Sequence, residues 1–318
     1  MALWTEVAEL ARRQHGLVAR RQLIKLGVPS ASVSKHARHA GWRQAHRGIY
    51  ALPGAVANHD QDVMAAVLRL GDKAMASHLT AARLHGLVQL RPPVIDVLLP
   101  FECRGRLVAG VHITRTRTLK AADRCVVNGI PCTTLPRTII DAATVLEPPG
   151  IRALVIDARQ RRSLDLGRVA RRLLDIGPIR HSGELRRILV ELDASRVDSV
   201  LEERARAALK SAGLPAPYPA PYPVRAGGRE VEVDIAWPDR KVGVEVDGYG
   251  GHAGRESMDK DHRKQNALIL AGWTILRVGW DRLASIVRVS LLRSSRCSPP
   301  QCEQLRYPGS GTAHCGKK

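Results

Sequence analysis

The stretch that most limits what this chain can become is Glu230-Val-Glu-Val-Asp-Ile-Ala-Trp237, then Pro238-Asp-Arg-Lys241, then Val242-Gly-Val-Glu-Val-Asp-Gly248. Apolar and polar residues alternate with period 2 on both sides of a turn-forming tetrapeptide, the pattern of a β-hairpin with one buried face. A turn centred between Asp239 and Arg240 sets Asp234 opposite Glu245 and Glu232 opposite Asp247. Val233 and Ile235 then form the core face with Val244 and Val246, and four carboxylates share the other face. Like charges directly opposite in a ladder, about 4.5–5.5 Å apart at Cβ, destabilise it. A cation between them, or one protonated member, removes the conflict. Mg²⁺ (or Mn²⁺) suits the set, because it takes one or two carboxylates together with waters and phosphate oxygens. A solvated acidic face satisfies the same spacing.

Charge elsewhere runs the other way. The 318 residues carry 50 Lys+Arg against 30 Asp+Glu, a formal +20, which favours a polyanionic partner, most simply nucleic acid. Aromatics are only 3%, which argues against stacking platforms for single strands and leaves double-stranded DNA as the expected partner. No run approaches 18 consecutive apolar residues, and Met-Ala-Leu-Trp-Thr-Glu lacks the layout of a signal peptide. A cytoplasmic protein with no membrane partner is expected; nothing fixes its oligomeric state. Cys103, Cys125, Cys132, Cys297, Cys302 and Cys315 form no C-x-x-C pair, so free thiols are expected. Cys297, Cys302, His314 and Cys315 could ligate zinc, on a spacing that fits no common pattern.

The N-terminal 55 residues hold 9 Lys/Arg and 2 Asp/Glu. Leu3, Val7 and Leu10 form a helical stripe over residues 2–13, ended by Gly16. A second helix is expected over 18–26 and a third from Ser30, as N-cap, to about Ala40. Residues 42–52 follow as a hairpin wing. On the third helix Val33, Ala37 and Ala40 point inward. Ser34, Lys35, Arg38 and His39 then lie where a recognition helix meets the major groove. Arg43, His46 and Arg47 on the wing could grip phosphates. A solvated basic face would satisfy the charge alone; the fold pattern and the placement together favour DNA contact.

Gln14-His-Gly-Leu-Val-Ala-Arg-Arg-Gln-Leu23 and His46-Arg-Gly-Ile-Tyr-Ala-Leu52 resemble the winged-helix N-terminal domain of the AbiEi-type antitoxin family. The resemblance continues through Ala76-Ser-His-Leu-Thr-Ala-Ala-Arg-Leu-His-Gly86, Val111-His-Ile-Thr-Arg115 and Gly129–Asp141, and so covers most of residues 1–185. It implies an antitoxin or regulator that binds promoter DNA, with a toxin as a further partner. The middle region is expected to hold helices at 58–70, 78–85, 137–145, 150–160 and 165–175, and strands near 93–99 and 107–114. His78 and His85 fit packing better than ligation. Asp141 after Arg137 fits a structural charge.

A helix over 183–191 and a short linker, 193–198, precede Ser199, which with Glu202 makes an S-x-x-E capping box. The expected order from there is helix (199–212), strand (219–225), the two hairpin strands, helix (256–271), strand (273–279) and helix (281–292). This succession resembles the PD-(D/E)XK nuclease core. Asp234-Ile-Ala-Trp-Pro238, Val244-Glu-Val-Asp-Gly248, His252, Asp261-x-Arg263, Leu268 and Gly272-Trp-Thr-Ile-Leu-Arg277 resemble the DUF559 family, which is related to very-short-patch repair endonucleases. By that resemblance Asp234 and Glu245 are metal ligands, Glu202 is a further ligand through water or a positioning group, and His252 is an acid/base or phosphate contact. Arg263 and Lys264 would neutralise phosphate charge. Asp247 stands where the E-x-K signature has lysine. It could be a third ligand, and His252 or Lys264 would then supply the missing cation; otherwise His252 is a glycine-flanked loop residue.

The expected fold is therefore multidomain α+β. A winged helix-turn-helix domain (1–55) leads into a mixed α/β middle (56–192) and the linker. A PD-(D/E)XK, restriction-endonuclease-like domain (199–295) and a disordered basic tail (296–318) complete it. Two functions fit: a Mg²⁺-dependent DNA endonuclease, or a non-enzymatic transcriptional regulator or antitoxin carrying a degenerate nuclease fold.

Overall fold

The computed structural model describes residues 2–87, 94–103, 107–162, 164–247 and 255–280, without the side chains of Ala2, Asp247 and 255–261. His252, the helix expected over 281–292, Cys297, Cys302, His314, Cys315 and the tail lie outside the described residues. The chain is a mixed α/β protein with several sheets, and no described helix is long and apolar enough to cross a membrane.

At the N-terminus α1 (Ala2–Arg13), α2 (Arg20–Lys25) and α3 (Ser30–His39) pack with β2 (Arg43–His46) and β3 (Ile49–Ala51), a winged-helix-like arrangement. The helix expected over 18–26 is shorter, because Leu17–Ala19 form a strand, β1, that pairs antiparallel with β3. Leu17, Val18 and Ala19 are all buried, so burial on both faces decided for strand over the helical spacing. Ser30 is the first residue of α3 and Pro29 its cap. Gly16 makes the tight entry to β1: its φ is +78°, and a Cβ there would lie 2.3 Å from that of Ala55.

The middle region builds a mixed sheet in the order β6-β5-β4-β8-β7 from β4 (Met75–Ala76), β5 (Ile95–Pro100), β6 (Val111–Thr116), β7 (Arg124–Val127) and β8 (Ile130–Thr133). α4 (His59–Leu70) begins under an Asn58 cap, whose side chain accepts from the Gln61 amide; α5 is His78–Leu84. Leu17, Ala19, Ile49 and Ala51 share a core with α4 and this sheet. Asn128-Gly129, both at positive φ, turn β7 into β8. The tip of that hairpin meets the winged helix, where His15 Nε2 lies 2.7 Å from the Asn128 carbonyl and a Cβ on Gly129 would lie 2.6 Å from the Arg13 oxygen.

Helices α6 (Leu135–Ala143), α7 (Pro148–Arg162) and α8 (Leu166–Ile176) lead to α9 (Ser182–Ser211). Residues 193–198, expected as a linker, are part of α9. Asp193 alone leaves helical geometry (φ −163°, ψ 77°), and its carboxylate accepts from the Arg196 amide at 3.3 Å. Asp193, and not Ser199, therefore restarts the helix. A polar run crossing an exposed surface has the composition of a linker whether or not it is helical, whereas Val197, Val200 and Leu201 keep one face of α9 buried.

The C-terminal strands are β9 (Tyr222–Ala226), β10 (Arg229–Val233), β11 (Ile235–Trp237), β12 (Val242–Asp247) and β13 (Thr274–Gly279); α10 (Arg255–Leu270) connects β12 to β13, which are parallel. Ile235 opposes Val244 and Trp237 opposes Val242, the register set by a turn between Asp239 and Arg240. The hairpin does not continue past Asp234. β10 turns away to pair with β9, so Glu232 opposes Pro223, not Asp247, and is exposed. The expected core face splits with it. Val233 packs with Leu268 and Trp273, while Ile235, Val244 and Val246 join the core of α6–α9.

Candidate functional site

Two charged regions stand apart. On the winged helix Val33 and Ala37 are buried, and Ala40 is half-buried, as the stripe requires. Lys35, Arg38, His39 and Arg47 are exposed, with no side-chain partner among the described residues. Ser34 is drawn inward, 3.2 Å from Arg20 Nη1 and 3.5 Å from the Tyr50 hydroxyl. Arg43, though exposed, donates to Gln61 Oε1 at 2.8 Å, which braces the wing on α4. Burial, then Arg69, lowers the His46 pKa, so this ring is a poor cation at neutral pH. Sequence reasoning missed the aromatic stack that orients α3. His36 lies flat on Trp4 at 3.9 Å, and edge-on to Trp42 at 5.4 Å. Spacing around the stripe could have found it, since His36 flanks Ala37.

The second region is acidic. Where the β10–β11 strand breaks, the Asp234 carboxylate replaces a ladder partner and accepts the Val246 amide at 2.8 Å. Glu245, on the central strand β12, is 9% exposed. Its Oε2 accepts from Lys264 Nζ of α10 at 2.7 Å, and its Oε1 is buried with no hydrogen-bond partner among the described residues. Burial first, then the charge of Asp234, raises the Glu245 pKa against the pull of Lys264. Glu202, on α9, is half-buried; burial and then Asp234 raise its pKa too. Asp234 is thus the shared neighbour of both glutamates. Arg206, one turn beyond Glu202, donates to the main-chain oxygens of Asp234 (2.6 Å) and Tyr218 (2.9 Å) and ties α9 to the strand. Its i+4 spacing from Glu202 was the available signal.

The structure thus brings together Glu202, Asp234, Glu245 and Lys264. Arg263 is exposed, with no partner among the described residues. Asp247 ends β12 opposite Gly279, and only its backbone is described. The oxygen donors suit a hard divalent cation, and the unsatisfied Glu245 oxygen is what such a cation would complete. The three carboxylates do not close into a cage, however, because their ligand atoms do not all lie within 4.8 Å of one another. Two inner ligands of one Mg²⁺ can be at most about 4.2 Å apart, so in this geometry at least one of the three reaches a shared ion only through water.

In the middle region Arg137, Asp123, Asp141 and Arg172 form a buried ion network, with Arg137 Nε 2.8 Å from Asp141 and Arg172 Nε 2.6 Å from Asp123. This is the structural charge expected of Asp141. His78 is buried, and burial lowers its pKa, as befits a packing histidine.

Comparison with known proteins agrees with the N-terminal part. The family described as "Transcriptional regulator, AbiEi antitoxin" matches residues 6–53. No curated protein matches the chain. Among solved structures the crystal structure of the RV2827C protein from Mycobacterium tuberculosis is similar at 18% identity. It covers 63% of this chain and 81% of that one with a TM-score of 0.41, a likeness too distant to carry an argument.

Proposed function

We propose that the chain binds double-stranded DNA through α3 and the wing, and cuts it at the Glu202–Asp234–Glu245 site with Mg²⁺ or Mn²⁺, in the cytoplasm. DNA binding is supported by Lys35, Arg38, His39 and Arg47, exposed on a winged helix whose residues 6–53 match a family of transcriptional regulators. Such a face neutralises phosphates, and a helix placed so reads the major groove.

The nuclease half rests on one observation: Glu245 is a buried carboxylate with an oxygen that no described group satisfies, beside Asp234. The order α9, β9, β10–β11, β12, α10, β13, with β12 and β13 parallel, supports the reading of a PD-(D/E)XK-like core. Residues 199–295 would form that domain, beside a winged helix over 1–55 and a middle region over 56–192. A bound divalent ion supplies charge to the scissile phosphate and acidity to a coordinated water. Asp234 and Glu245 would hold it, with Glu202 reaching it through water. Lys264 brings from α10 the positive charge that Asp247 cannot supply from the E-x-K position. His252 and Arg263 would complete the phosphate contacts.

A second reading, a non-enzymatic regulator or antitoxin with a toxin partner, is favoured by the same two carboxylates. Lys264 and the Val246 amide already occupy an oxygen on each. Plasmid incubated with the protein and Mg²⁺ or Mn²⁺, beside Asp234→Ala, separates the two. Cleavage lost in the variant supports the nuclease. No cleavage by the wild type, with duplex binding that depends on Lys35, Arg38 and Arg47, leaves the regulator.

A further inference from the structure

We propose that His85, Cys125 and Cys132 form a binding site for one thiophilic d¹⁰ cation, Zn²⁺ foremost, with solvent as the fourth ligand. The sequence offers no C-x-x-C signature for it; the hairpin makes the pair. Because Asn128-Gly129 form a two-residue turn, residues equidistant from it are opposed, and Cys125 lies directly across from Cys132. Their sulfurs are 3.4 Å apart. His85, just past the end of α5, brings a ring nitrogen to the same place, and the three ligand-capable atoms all lie within 4.8 Å of one another. Tetrahedral zinc with Zn–S of 2.3 Å and Zn–N of 2.0–2.1 Å separates such ligands by roughly 3.5–3.8 Å. Small side-chain rotations therefore suffice to seat the ion.

The surroundings fit a ligating imidazole. His85 Nε2 lies 2.8 Å from the Thr133 carbonyl, to which the Cys125 thiol also points at 3.4 Å; with Nδ1 as the ligand, an Nε2–H given to that oxygen would be the usual second hold on a ligating histidine. The His85 backbone is itself held, its carbonyl accepting from Arg162 Nε at 2.7 Å. Cys132 is fully buried, whereas His85 and Cys125 are half-exposed. The ion would thus be anchored from the core side and open to water on the other. Two thiolates and a neutral imidazole balance a divalent charge, and the soft donors select zinc or cuprous ions over Mg²⁺. The site is independent of the carboxylate region.

The test uses the full chain under a phosphine reductant, with Cys103, Cys297, Cys302 and Cys315 changed to Ser so that only this pair reports. In excess Mg²⁺, which would fill the carboxylate site, Co²⁺ is expected to develop thiolate charge-transfer and tetrahedral visible bands that saturate at one equivalent, and to be displaced by Zn²⁺. Cys125→Ala, at a half-exposed position that should not disturb folding, removes the charge-transfer intensity expected of two thiolates. His85→Ala weakens binding about tenfold or more; circular dichroism checks that both variants fold. Unchanged spectra in Cys125→Ala, or no Co²⁺ uptake by the folded, reduced protein, would overturn the proposal. So would a pair that takes up no metal and only oxidises in air to an intramolecular disulfide.

Discussion

The winged helix and the carboxylate site hold opposite charges in opposite ways. Lys35, Arg38 and Arg47 stand in solvent without partners among the described residues, so their cost is small and their effect lies in what they attract. Glu245 and Asp234 sit beside the Val246 amide, a lysine and each other, where every charge must be answered locally. Exposed charges follow helical periodicity and can be removed one by one. Half-buried charges act as a set, and removing one changes the rest.

The sharpest way to break the comparison is Asp234→Ala or Glu245→Gln in a plasmid-cleavage assay. Metal-ion catalysis contributes several kcal/mol, so Mg²⁺-dependent cleavage should fall about 10³-fold or more. Duplex affinity measured by fluorescence anisotropy should stay within about twofold, since these residues lie outside the basic face. If affinity falls as far as cleavage, the two regions are one.

Next in size is Lys35→Ala with Arg38→Ala and Arg47→Ala. Duplex binding should weaken about 10- to 100-fold, and the salt dependence should become shallower by roughly one unit per lost phosphate contact. Ser34→Ala and Arg43→Ala serve as contrast: their side chains are engaged inside the protein, and they should leave the salt slope as it was.

Lys264→Met probes the acidic set. It leaves Glu245 buried without its hydrogen-bonded cation, with only the Arg277 charge across the ladder, and should cost about 1–3 kcal/mol in urea unfolding. Adding Glu245→Gln should recover much of that loss, giving a coupling energy that no pair on the basic face will match.

The smallest effect concerns pH. Glu202 and Glu245 have raised pKa values in the folded protein, so in their titration range the native state binds more protons than the unfolded state. Their contribution to stability is therefore most favourable at low pH, and is lost as pH rises through the folded pKa. Mg²⁺ bound as proposed would compete with those same protons. The increase in melting temperature on adding Mg²⁺ should grow from about pH 5 to about pH 7.5, and flatten in Glu245→Gln. A pH-independent increase would mean that the ion binds elsewhere.

Much of the fold could be read from the sequence where one physical signal dominates. Period-2 alternation and Pro238-Asp239-Arg240 set the β11–β12 register, and the Val33/Ala37 stripe set the inward face of α3. Reading failed where tertiary context decides. Nothing local says that β10 leaves its neighbour at Asp234, because alternation continues unbroken through Glu230–Trp237 while the pairing partner changes. β1 was hidden by helix-compatible spacing. At the site, Asp234 and Glu245 were visible as opposed carboxylates, but Lys264 reaching Glu245 from 19 residues away needs the β12–α10–β13 crossover. His85 meets the cysteines only after the sheet has formed.

The break at Asp193 divides α9 into segments 182–192 and 194–211, about 17 Å and about 27 Å long at 1.5 Å per residue, and Glu202 rides on the second. The first is buried against the helical layer through Leu185, Ile188 and Leu189. A fragment starting at residue 199 would begin inside the second segment, with Val197 gone and Val200 and Leu201 stripped of their neighbours. The two segments meet at Asp193. The joint lies nine residues before Glu202, whose segment Arg206 fastens to the Asp234 main chain.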